Sequence, residues 1–137
     1  MDYILKGHGF RNSLIDAIQI FYPNEKYKEI ASAEKMRYAI SEYDGGFVHT
    51  SLMDGDVVIA SNSLKCGEDI AHHVKLSAYY MLSEYTGFVN PWGILTGIRP
   101  AKIATRLFEG GMNDREATEY LIENFLVSEE KAKLSID

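Results

Sequence analysis

The chain has 137 residues, 46% of them hydrophobic and 25% charged, with a formal net charge of -6. Those values describe an ordinary globular domain with enough apolar mass for a real core, and the acidic balance argues against nucleic acid as a partner. A single cysteine, Cys66, excludes an internal disulfide and any all-cysteine cage for zinc or an iron–sulfur cluster within the chain. The start lacks a basic segment followed by an apolar one, so no signal peptide is expected. No apolar run approaches the roughly 20 residues that span a bilayer, so no membrane partner is expected and a cytoplasmic setting is the default.

Tyr3 to Lys6 reads as a short strand, followed by the turn-rich Gly7-His8-Gly9. Asn12 or Ser13 can cap a helix whose apolar face is Leu14, Ile15, Ile18, Phe21 and Tyr22, and Pro23-Asn24 stops it. Residues 24–35 are charged and weakly patterned, compatible with a loop or a poor helix. From Met36 the period becomes two: Met36, Tyr38, Ile40 and Glu42 alternate with Arg37, Ala39 and Ser41. Asp44-Gly45-Gly46 marks a turn, Phe47 to Met53 the next strand, and Asp54-Gly55 a hairpin into Asp56–Ser61.

Gly67 to Tyr85 predicts one long helix, with Ile70, Ala71, Val74, Ala78, Met81, Leu82 and Tyr85 on its core side. Pro100 suits a helix first turn, and Ala101 to Glu109 completes that helix before Gly110-Gly111. Asn113 or Asp114 caps another helix, with Ala117, Tyr120, Leu121, Phe125 and Leu126 inward. Ser128 opens a last one, with Glu129 and Glu130 at its positive end. The expected fold is α+β: a small, mainly antiparallel sheet (strand, helix, three-strand meander) covered by the long helix, then a helical carboxyl-terminal part. The chain is read as one domain over residues 1–137, divided into 1–66 and 67–137. A stop so soon after a helix start suggests the front piece of a longer protein.

Little of the sequence looks catalytic. Cys66 at a helix start could have a lowered thiol pKa, but an ordinary thiol is the expectation. His72 and His73 are adjacent and cannot share a helix face as a metal pair does. His8 and His49 lie far off, and Asp54 and Asp56 belong to turn chemistry. Gly7-His8-Gly9 lacks the further glycine of a dinucleotide fingerprint, and there is no Walker-type loop. No metal site is expected in this chain.

The chain is organised around Asn90-Pro91-Trp92-Gly93-Ile94-Leu95-Thr96-Gly97-Ile98-Arg99-Pro100-Ala101-Lys102, which holds two prolines and the only tryptophan. No acidic residue follows Glu84 until Glu109, whereas Arg99, Lys102 and Arg106 occur there. Lys102 and Arg106 share a helix face, and Arg99 sits at its amino-terminal edge, where free amides favour anions. Three readings stand open: a seat for carboxylates or phosphates, a contact for an acidic patch on another domain, and a solvated surface. Trp92 joins Arg99, Lys102 and Arg106 as a contact candidate; an exposed apolar patch at Trp92–Leu95 would mark an interface.

The run from Pro91 to Lys102 resembles a motif in the amino-terminal region of the HemZ group, proteins similar to oxygen-independent coproporphyrinogen III oxidase. The resemblance implies a radical S-adenosylmethionine (radical SAM) oxidoreductase of haem and porphyrin biosynthesis. Such an enzyme decarboxylates two propionates of coproporphyrinogen III to give protoporphyrinogen IX. It implies a 4Fe–4S cluster held by Cys-xxx-Cys-xx-Cys for the full-length protein. That motif is absent here, so the resemblance implies an amino-terminal accessory domain that is inactive alone, and no catalytic residue carries over. Its implied partners are the missing carboxyl-terminal catalytic domain and a polycarboxylate tetrapyrrole. The rival expectation is a stand-alone binding or regulatory module holding an anion on the Arg99/Lys102/Arg106 face.

Overall fold

The computed structural model describes every residue except 33–35, 96–99 and 137, and within its helices omits the side chains of 100–102, 104 and 136. Its elements run β1 (Asp2–Lys6), α1 (Arg11–Phe21), β2 (Lys28–Glu29), β3 (Arg37–Tyr43), β4 (Phe47–Asp54), β5 (Val57–Lys65), α2 (Ile70–Thr86), α3 (Pro100–Glu109), α4 (Asp114–Phe125) and α5 (Glu129–Ile136). The class is α+β. The chain divides into two compact units, Met1–Phe88 and Val89–Asp137. The division falls after α2, whereas the sequence pattern places it before that helix; α2 belongs with the sheet it covers.

The first unit is a five-stranded sheet in the order β2-β1-β3-β4-β5. The meander β3-β4-β5 is antiparallel, but β1 pairs in parallel with both β2 and β3, so the sheet is mixed. A parallel neighbour needs a crossover, and α1 supplies it between β1 and β2. The two-residue β2 arises inside the charged stretch 24–35, where no periodicity announces it.

The core lies between the sheet and α1 and α2. Ala39, Val48 and Leu52 meet Leu14, Ala17 and Ile18 of α1 and Val74, Ala78, Met81 and Leu82 of α2. Ala39 opposes Leu52 and Ser41 opposes Thr50, so the helix-facing set on β3 is Ala39 and Ser41. Tyr38 is buried on the opposite side, its hydroxyl donating to the Gly55 carbonyl at 3.0 Å, and Met36 is 75% exposed. Small residues suit β3 beneath the helices, because bulk comes from α1, α2 and β4. One polar chain crosses this interface: Thr50 Oγ1 donates to Ser77 Oγ (2.8 Å), which donates to Asn62 Oδ1 (2.9 Å). Both hydroxyl residues are fully buried, and the chain satisfies them.

Helix ends follow local chemistry in α2 and α4, but not in α1, which begins at Arg11 with Asn12 and Ser13 already inside it and no side-chain cap at Phe10. The Asp69 carboxylate accepts from the His72 amide at 3.1 Å, and Gly87 closes α2 in the left-handed region. Asn113 and Glu116 form a reciprocal capping box on α4. In the second unit α3, α4 and α5 enclose Leu95, Ile103, Leu121, Val127 and Ala132. No helix among the described residues is long and apolar enough to cross a membrane.

Candidate functional site: the Asn90–Leu95 turn and the start of α3

Within the central motif, Pro91–Ile94 form a tight turn, and Pro100 opens α3. The Gly93 amide donates to the Asn90 carbonyl at 2.9 Å, the Asn90 side-chain amide donates to the Gly93 carbonyl at 2.9 Å, and the Leu95 amide donates to the Trp92 carbonyl at 3.1 Å. Two further bonds tie the turn to the corner between α4 and α5. The Ile94 amide donates to the Phe125 carbonyl (2.8 Å), and the Ser128 amide donates to the Pro91 carbonyl (2.7 Å). Gly93 has φ of 58°, and a Cβ there would collide with the Phe125 carbonyl and the Leu126 backbone. Glycine is therefore required twice over, by conformation and by close approach. At the same corner Leu126 is itself left-handed, with φ of 59°.

Trp92 is half-buried against the second unit's core, with the Lys131 ammonium 5.5 Å from its ring centroid. Ile94 and Leu95 are buried. Trp92–Leu95 therefore do not form the exposed apolar patch that would have marked an interface: the turn's apolar side chains are packed within its own unit. Of the basic candidates, Arg106 is exposed in the last turn of α3, where a cation suits the helix dipole. Arg99 and the Lys102 side chain lie outside the described residues. A groove of about 420 Å³ between α4 and α5 is lined by Asp114, Arg115, Glu119, Ile122, Glu129 and Lys133. Four of its charged residues form exposed pairs, Arg115–Glu119 at 3.2 Å and Lys133–Glu129 at 2.9 Å.

Cys66 is buried, and burial together with the Asp69 carboxylate pushes its thiol pKa up. The possible activation by a helix start is therefore outweighed. Among the described residues no group of three His, Cys, Asp or Glu side chains could hold a metal ion. A cluster needing three cysteines does not fit a chain with one.

Two histidines without a motif in the sequence have defined partners. His8 Nε2 lies 2.9 Å from Ser41 Oγ, while His8 Nδ1 accepts from the Phe10 amide at 3.0 Å. His49 lies between Asp44 Oδ2 (2.9 Å from Nε2) and Ser63 Oγ (2.7 Å from Nδ1). Pairing of β4 with β5 sets His49 opposite Ser63, a relation that only strand register reveals.

The architecture defines an α+β unit followed by a small helical unit built on a glycine-dependent turn. No protein-family model matches the chain, and no solved structure matches it. The chain is 39% identical over 54 residues to the oxygen-independent coproporphyrinogen-III oxidase-like protein HemZ of Bacillus subtilis (strain 168). That match takes in 39% of this chain and only 11% of the relative's length, and it supports a HemZ-like relationship.

Proposed function

We propose that this chain is a non-catalytic amino-terminal domain of an oxygen-independent coproporphyrinogen III oxidase-like protein. The observation that carries the reading is the partial match to HemZ, 39% identity over 54 residues. The Pro91–Lys102 motif points the same way. In the full-length protein, oxidative decarboxylation belongs to a separate catalytic domain, where a 4Fe–4S cluster and S-adenosylmethionine supply the radical chemistry. The present chain supplies shape and charge. Its helical unit builds a rigid turn from Asn90 to Leu95, and Arg99 and Lys102 follow directly in sequence. Their cationic groups suit the propionates of a tetrapyrrole or acidic residues of the catalytic domain.

The test is the double substitution Arg99→Ala, Lys102→Ala in the full-length protein. Loss of one charge-assisted hydrogen bond to substrate costs about 1.5–3 kcal/mol and raises KM roughly ten- to a hundredfold. Loss of a domain contact lowers the melting temperature instead. Unchanged kinetics together with unchanged melting would sink both roles.

A further inference from the structure

The rim of the sheet carries a hydrogen-bonded chain of carboxylate, imidazole and hydroxyl that the proposed function does not use. Asp44 Oδ1 accepts from the amides of Gly46 (3.0 Å) and Phe47 (2.8 Å), which fixes the carboxylate in the β3–β4 turn. Its Oδ2 meets His49 Nε2 at 2.9 Å, and His49 Nδ1 meets Ser63 Oγ at 2.7 Å. A carboxylate only accepts, so with a neutral ring Nε2 carries the hydrogen and Nδ1 keeps its lone pair for the Ser63 hydroxyl. The Phe47 ring stacks on the imidazole, with centroids 5.9 Å apart and planes 16° from parallel. Glu42 is the cross-strand partner of His49 on its other side. Ser63 is exposed.

The geometry points to Ser63 as a nucleophile toward activated acyl esters, with His49 as general base and Asp44 orienting the ring. The arrangement follows acid–base–nucleophile logic with the two ring nitrogens exchanged relative to the serine-protease order. With p-nitrophenyl acetate, Ser63 Oγ forms a bond to the carbonyl carbon. The carbon–oxygen bond to nitrophenolate breaks, and its electron pair leaves with that group. The Ser63 proton passes to His49 Nδ1 and on to solvent. Attack of water on the ester, with His49 again as base, releases acetate and restores Ser63. Phe47, 44% exposed, offers an apolar surface to the acyl or aryl group.

Ser61 supplies an internal control: it is exposed, lies on the same face of β5, and opposes Ser51 where Ser63 opposes His49. The full chain is mixed with p-nitrophenyl acetate and quenched in acid at the earliest times, before the ester is hydrolysed, and the initial rate of acetyl-serine formation is measured at both positions by peptide mass spectrometry. A positioned general base typically contributes about a hundredfold or more, so Ser63 should acylate at least about ten times faster than Ser61. In His49→Gln the two rates should converge. Ser63→Ala should lose the adduct while Ser61 labelling is unchanged. Equal labelling of the two serines, no serine adduct, or a Ser63 rate untouched by His49→Gln would overturn the assignment.

Discussion

Gly93 is where the chain's most distinctive stretch meets its fold. Its left-handed backbone and its contact with the Phe125 carbonyl leave no space for a Cβ. Gly93→Ala should therefore cost about 3 kcal/mol, combining backbone strain with displacement of the α4–α5 corner. Gly111, with φ of 93° and open space within 4 Å of where a Cβ would stand, isolates the backbone effect, and Gly111→Ala should cost about 1–2 kcal/mol. Urea unfolding followed by the fluorescence of Trp92, the chain's one tryptophan, reports both. Equal losses would contradict the close-approach account.

Two titrating residues give opposite ends of the acid range. Burial holds the His8 pKa below its usual 6.5, and protonation of Nδ1 would remove the acceptor for the Phe10 amide at the start of α1. A depressed folded-state pKa means that the unfolded chain binds the proton more readily. The contribution is full above about pH 6.5 and is lost as pH falls below it. Asp44, bonded to His49 and to two turn amides, is held down to about 2 from 3.8. Its contribution is present above about pH 4 and is lost as pH falls toward 2. Melting temperatures of His8→Gln and Asp44→Asn, compared with the parent from about pH 7.5 to about pH 2.5, should converge with it within those two separate windows.

At the scale of elements, the buried Thr50–Ser77–Asn62 chain fixes how α2 sits on the sheet. Ser77→Ala removes the central hydroxyl and leaves buried Thr50 without its acceptor, at a cost of about 2 kcal/mol. Thr50→Val combined with Ser77→Ala should cost less than the two single changes summed, because no orphaned hydroxyl remains on the strand. A strictly additive cycle in denaturant melts would contradict the coupling. On α4, Asn113→Ala breaks the capping box and should cost about 1 kcal/mol. Several elements of this kind were legible in the sequence because their signals are local, although the Asn12/Ser13 cap signal misplaced the start of α1. Asp54-Gly55 announced the β4–β5 hairpin, and Asn113 and Ser128 announced helix starts. The alternation beginning at Met36 located β3 but not its core face, since both Tyr38 and Ala39 are buried and the helices select the small residues. β2 was not legible: two residues paired only to β1 leave no periodic trace.

At the scale of the whole molecule, the sequence marked the central motif but joined two kinds of residue in it. Trp92, Gly93, Ile94 and Leu95 serve the helical unit's own packing, which needed the α4–α5 corner to be seen. Arg106 stands exposed on α3. The Asp44–His49–Ser63 chain was not legible in the sequence, because cross-strand register assembles it from residues far apart in the chain. The division at Phe88 gives each unit its own hydrophobic cluster, and one cysteine cannot by itself hold a three-cysteine iron–sulfur cluster.

The most direct measurement is the size and iron content of the native polypeptide, captured from its source cells under anaerobic conditions with an antibody raised against this chain. The account predicts a much longer polypeptide carrying about four irons, as one 4Fe–4S cluster requires. A native polypeptide of this chain's own size, without iron, would contradict it.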